Sequence, residues 1–141
     1  NSDLRFRIIG KADPTFKHTK NLEFVGNCTQ QELRQHYNDA KVFIQASITE
    51  GFPNTLCESM ACGCFPIGSR VAAIPDIIDI HGLLLDRRND ELLEQKLKEA
   101  LLIIQSGTLD QLAISDSIFQ RFNQEKRAAG VERAIQFVRS R

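Results

Sequence analysis

The sequence lacks a charge of one dominant sign. Eighteen Lys and Arg balance eighteen Asp and Glu over 141 residues, so the whole-molecule field offers no attraction for nucleic acid, and any bound anion must be held by a local site. Long hydrophobic runs are also missing. Runs such as Leu101-Leu102-Ile103-Ile104 are far short of the roughly 20 apolar residues that a membrane-spanning helix needs, and Asn1-Ser2-Asp3-Leu4-Arg5 carries no basic-then-apolar leader pattern. The chain therefore reads as soluble and cytoplasmic. No Cys-x-x-Cys pair occurs among Cys28, Cys57, Cys62 and Cys64, and no histidine stands at ligand spacing from them, which favours buried structural thiols in a reducing compartment over a metal site. No G-x-G-x-x-G follows any strand, which excludes a dinucleotide-binding dehydrogenase. The strand end at Gln45-Ala46-Ser47 has no aspartate to phosphorylate, against a receiver domain. His18, His36 and His81 have no serine or cysteine spaced to form a nucleophile pair, so surface or capping roles are expected for them.

What is present is an alternation of short strands and helices. A hydrophobic content of 42% in 141 residues suits one core and is too little for two, so a single domain is expected. Residues 4–9 and 22–25 read as strands ending at Gly10 and Gly26. Thr29 and Glu32 form a capping box that opens a helix to about Ala40, with Leu33, Tyr37 and Ala40 facing inward. A strand at 41–45, a helix at about 55–61 stopped by Gly63, and an extended stretch at 65–68 follow. Pro75 opens a short helix to Ile80, residues 83–85 form a buried strand, and Asn89 or Asp90 caps a long helix. In that helix Leu93, Leu97, Ala100, Leu101 and Ile104 recur at helical spacing, and Glu94 is placed to pair with Lys98. Two more helices are expected, at about 109–122 and from about 124, the last carrying Ala128, Val131, Ile135 and Val138 on one face. This order implies an α/β fold, a doubly wound parallel sheet of Rossmann-like type.

Ligands of such sheets bind where strand ends lead into helix starts, and the chemistry-bearing run Glu50-Gly51-Phe52-Pro53-Asn54-Thr55-Leu56-Cys57-Glu58 lies at that place. The backbone N–H groups near Asn54, Thr55 and Leu56, with the helix dipole, suit a diphosphate. Gly51 allows close backbone approach and Pro53 stiffens the loop. Carboxylates beside a phosphate site repel it, yet each is a bidentate acceptor for vicinal hydroxyls. On that reading Glu58 takes ribose hydroxyls and Glu50 faces a sugar. Taken singly, Glu50 reads equally well as a solvated loop residue and Glu58 as a helix acid favoured by the dipole.

The run as a whole resembles the E-x7-E motif of family 4 retaining GT-B glycosyltransferases, with Ser59 where alanine is commoner. Phe24-Val25-Gly26, Glu32-Leu33 to Tyr37, Asp39-Ala40-Lys41-Val42-Phe43, Pro75-Asp76-Ile77-Ile78 and Gly82-Leu83-Leu84 resemble flanking family segments, so the resemblance covers about residues 22–139. It implies the C-terminal, donor-binding domain of a metal-independent enzyme that moves a hexosyl group from a nucleotide diphosphate sugar, such as a UDP-sugar or GDP-sugar, to an unknown acceptor. Glu50 would contact the sugar, Glu58 the ribose, and Gly51, Phe52, Pro53, Asn54, Thr55 and Leu56 would meet the phosphates and sugar. Gly26, Asn27 and Cys28 would offer backbone atoms to the base. No cofactor and no metal is implied, and no D-x-D pair is present.

The departures from the family pattern are specific. No basic pair precedes Leu4, and neither Lys11 nor Arg70 matches it. Ala72-Ala73 replaces a glycine pair, and the stretch from Asp79 to Gly82 is shortened. Residues 1–141 are therefore expected to be a sugar-nucleotide-binding fragment, with 123–141 its C-terminal helix and an N-terminal acceptor domain as its missing partner. No catalytic residue is expected within the fragment, which would be inactive alone. The run from Ser117 to Arg141, with six basic and two acidic residues, is expected to be the solvated side of a helix, with a peripheral contact to an anionic membrane surface left open for the longer enzyme. The alternative is a noncatalytic interaction module on this fold.

Overall fold

The computed structural model describes residues 4–11, 19–87 and 89–123, and beyond them 125, 126, 129, 132, 133 and 136. The expected apolar stripe Ala128, Val131, Ile135 and Val138 lies outside the described residues, as does His18. Contacts group the chain into two compact units, Asn1–His36 and Tyr37–Arg141.

In the first unit, strands β1 (Phe6–Ile9) and β2 (Leu22–Gly26) pair in parallel, from Phe6 opposite Leu22 to Ile9 opposite Gly26. Helix α1 (Gln30–Asp39) begins with the expected capping box. The Thr29 N–H donates to Glu32 Oε2 at 2.8 Å, and the Glu32 N–H donates back to Thr29 Oγ1 at 3.3 Å. These bonds favour the charged carboxylate, so the Thr29 backbone first and its hydroxyl second hold Glu32 below the ordinary carboxylate range.

The second unit contains β3 (Val42–Gln45), α2 (Asn54–Ala61), β4 (Phe65–Ser69), α3 (Ile74–Ile78), β5 (Leu83–Leu85), α4 (Asp90–Gln105) and α5 (Gln111–Arg121). Its strands form a parallel sheet in the order β3-β4-β5, with Ile44 opposite Ile67 and Ile67 opposite Leu83. The fold is α/β with parallel strands, as the alternation implies. Hydrogen bonding divides the strands between two sheets, β1-β2 and β3-β4-β5.

Every residue of β4 is buried, although successive side chains point to opposite faces. A Cβ added to Gly68 would meet Ile74 Cγ2 at 2.5 Å and Ile78 Cδ1 at 2.7 Å, so the Gly68 face lies tight against α3. Ile67, on the opposite face, has no exposed surface and belongs to the same core as Leu56, Met60, Ile77 and Ala100. Both faces of β4 are therefore covered. On α4, Leu93, Leu97 and Ala100 join the core as the spacing predicts, while Leu92 and Ile103 pack there and Leu101 and Ile104 stay half-buried at its margin. The packed face is broader than one heptad seam and turns slightly toward Leu92.

Helix α2 ends as Gly63 predicts. Gly63 takes φ of 82° as its N–H reaches the Met60 carbonyl at 2.8 Å, and the Cys64 N–H reaches the Ser59 carbonyl at 3.1 Å, the paired bonds of a Schellman motif. Helix α5 completes that end. Gln111 Nε2 donates to the Gly63 carbonyl at 3.2 Å and Ser115 Oγ to the Ala61 carbonyl at 2.7 Å. Among the described residues no helix is long and apolar enough to cross a membrane.

Candidate functional site

Gln45 is the last residue of β3, and its amide organises the loop that follows. Its Nε2 donates to Ser47 Oγ at 2.8 Å and to Glu50 Oε1 at 2.9 Å, while Ser47 Oγ donates to the same Glu50 oxygen at 2.7 Å. The amide oxygen of Gln45 accepts from Thr55 Oγ1 at 3.2 Å. One side chain thus ties the strand end, the half-buried loop acid and the start of α2 together. Two donors converge on Oε1 of Glu50 and fix the carboxylate plane, leaving the lone pairs of Oε2 as its capacity for another donor.

Helix α2 begins after Pro53, and among the described residues no side chain caps its first N–H groups. The N–H groups of Leu56 and Cys57 turn to the Pro53 carbonyl at 3.1 and 3.4 Å. That places the outward-facing donors of the first turn at Asn54 and Thr55, both exposed. Leu56 lies beneath them with its side chain fully buried in the core. Gly51 is exposed, its φ is not positive, and an added Cβ would meet nothing within 4 Å among the described residues. Neither the turn nor packing demands glycine there, and the backbone stands open to approach.

Glu58 is half-buried one turn into α2. With Asn54 it lines a groove of about 330 Å³ between α2 and α5, whose apolar walls include Phe52, Ala61, Ile118, Phe119 and Phe122. Phe52 stands edge-on to Phe122 with ring centroids 5.6 Å apart. Gly26, Asn27 and Cys28 belong to the first unit, where Gly26 closes β2 with φ of 80° and its carbonyl accepts from the Gly10 N–H at 2.7 Å.

The remaining sequence candidates take structural places. Cys64 is the buried thiol, pushed up to about 12 by burial first, and it donates to the Tyr37 carbonyl at 3.1 Å. Cys28, Cys57 and Cys62 are half-buried, so the expectation of buried thiols holds for Cys64 alone, and Cys57 packs against the margin of the core. Arg70 pairs with Asp86 at 2.6 Å. Arg121 is not part of a solvated basic face: its guanidinium donates to the Ile77 carbonyl at 3.2 Å and to the Asp76 carbonyl, capping the end of α3. Sequence reasoning missed Gln45 and Ser47 as parts of the site. The available signal was two amide and hydroxyl side chains at the carboxyl end of a strand, five and three positions before an acid.

Comparison with known proteins gives concordant results. Residues 1–102 match the family model described as glycosyl transferases group 1. Over 95 residues the chain is 27% identical to the serotype-specific mannosyltransferase WbdA of Escherichia coli, covering 67% of this chain and 12% of that protein. Over 88 residues it is 25% identical to a subunit of human phosphatidylinositol N-acetylglucosaminyltransferase, covering 62% of this chain and 18% of that protein. The solved structure of sucrose-phosphate synthase from Thermosynechococcus elongatus superposes with a TM-score of 0.78 at 20% identity, over 95% of this chain and 38% of that one.

Proposed function

The chain belongs to the group 1 glycosyl transferases, and from that premise we propose that it is the C-terminal, donor-binding part of a longer enzyme of the retaining, metal-independent family 4 type. The proposed reaction moves a hexosyl group from a nucleotide diphosphate sugar, a UDP-sugar or a GDP-sugar, to an acceptor bound by an N-terminal domain. Relatives named mannosyltransferase and N-acetylglucosaminyltransferase support a hexosyl donor. A cytoplasmic setting, with a peripheral membrane contact of the longer enzyme, belongs to the same proposal.

The observation that carries this reading is the Gln45 network, which sets the Glu50 carboxylate beside the uncapped start of α2. The N–H groups of Asn54 and Thr55, with the helix dipole, would receive the diphosphate and stabilise the charge that develops on it as the sugar departs. Oε2 of Glu50 would accept from hydroxyls of the transferred sugar, and Glu58 would grip the ribose diol. Ala72 supports an intact donor loop over a noncatalytic derivative: although alanine replaces an expected glycine, its φ of 46° is the conformation a glycine would supply.

Titration of the 141-residue chain with UDP, GDP and ADP, followed by amide shifts, tests the reading. Shifts should centre on residues 50–58. Glu58→Ala should weaken the bound nucleotide about tenfold or more, as loss of charged hydrogen bonds does. Glu50→Gln should weaken the nucleotide sugar and spare the bare nucleotide. Failure of all three nucleotides to bind at millimolar concentration would sink the proposal.

A further inference from the structure

Tyr37 is 5% exposed, and its hydroxyl is buried with no hydrogen-bond partner among the described residues. An orphaned phenol of this kind is costly to bury, and native proteins rarely retain one without a use. The ring is held firmly. It meets Phe43 edge-on at 5.7 Å with an interplanar angle of 82°, and the Tyr37 carbonyl accepts the Cys64 thiol.

The geometry of β3 and α2 shows what the ring adjoins. Phe43 and Gln45 are two residues apart on β3 and project from one face. Thr55 of α2 bonds to Gln45, so α2 lies over that face. The helix returns antiparallel to β3, as a crossover between parallel strands must. Glu58, three residues after Thr55 on the same side of α2, therefore falls back toward Phe43, where the Tyr37 ring stands. The electrostatics agree: burial first, and then the negative field of Glu58 ahead of those of Cys64 and Cys62, push the tyrosine's ionisation up. Glu58 is the sole carboxylate among these neighbours.

We propose that Tyr37 is a positioning residue for the donor site: its hydroxyl donates to the Glu58 carboxylate through one bridging water, and so fixes the orientation in which Glu58 accepts a vicinal diol. This rests on the donor-site reading above. A rigid acceptor binds a diol better than a freely rotating one because less side-chain freedom is lost on binding. The buried phenol supplies that rigidity from below, as Gln45 and Ser47 do for Glu50.

Tyr37 is the single tyrosine and there is no tryptophan, so labelling tyrosine at Cζ with carbon-13 yields one resonance that reports the hydroxyl. In the ligand-free chain Glu58→Gln should move that resonance; an unmoved resonance overturns the contact. Tyr37→Phe keeps the ring packing and should weaken whichever of UDP and GDP binds by about five- to tenfold, while leaving the affinity of its 2′,3′-dideoxy analogue unchanged. Equal loss for both ligands, or loss for neither, would mean a packing role and overturn the proposal. If the unmodified chain binds neither nucleotide, the donor-site reading and the diol role fall together, and the tyrosine resonance still decides whether Tyr37 and Glu58 interact.

Discussion

Ala72 holds φ at 46°, a left-handed conformation that costs a residue with a Cβ about 1–2 kcal/mol. Nearby, Asp79 does the same at 51° where α3 ends. Ala72 is exposed, so no packing would be lost on removing its methyl group. Ala72→Gly is therefore expected to stabilise the chain by up to about 1 kcal/mol, the relieved strain exceeding the extra freedom gained by the unfolded chain. Chemical denaturation should show a higher midpoint with an unchanged slope. At this scale the sequence reads unevenly. Glu50 and Glu58 stand out as acids at a loop and helix start, and Asn89 and Asp90 as alternative caps, of which Asn89 serves, its Oδ1 accepting from the Leu92 N–H at 2.8 Å. Gln45, Ser47 and Arg121 do not stand out, because their partners are set by where strand, loop and helix ends meet. Nothing local to Arg121 shows that it lies 3.2 Å from the carbonyl of Ile77.

Helix ends are where local chemistry is most legible. Thr29 and Glu32 are three apart, and their reciprocal bonds can form only if the helix starts there. Because the folded-state ionisation of Glu32 is depressed, its contribution is present above the ordinary carboxylate range and fades as pH falls through the lowered value. The first turn of α1 should fray below about pH 4, seen as faster amide exchange at Thr29 and Glu32, and Glu32→Gln should abolish that pH dependence. At the C-terminal end of α2, Gly63 serves two needs. Its φ is 82°, and an added Cβ would lie 3.2 Å from Gln111 Cβ and 3.3 Å from the Gln111 carbonyl oxygen. Gly63→Ala should destabilise the chain by about 1–2 kcal/mol through strain and displacement of α5, measured by thermal or chemical unfolding. The first need is visible in the sequence as a helix stop, and the second is not, since Gln111 is 48 positions away.

For the whole molecule, the chain spans 12% and 18% of the curated relatives and 38% of the sucrose-phosphate synthase chain, so the proposed division of labour has a direct test. The 141-residue chain is expected to bind nucleotide without transferring sugar, monitored by release of free nucleoside diphosphate from UDP-sugar and GDP-sugar donors. Turnover by this chain alone would show that it holds catalytic groups the proposal assigns elsewhere. The sequence by itself determined the α/β alternation, the helix caps at Thr29 and Gly63, and the motif from Glu50 to Glu58, because period, capping and turn chemistry act between residues a few positions apart. Only the tertiary structure decided that Gln45 clamps Glu50 to the start of α2, that the Leu56 side chain is core, that the Arg121 cation caps α3, and that the Tyr37 hydroxyl is buried. Each of these depends on side chains from separate elements meeting at one place, and burial and hydrogen bonding across elements are properties of the packed chain.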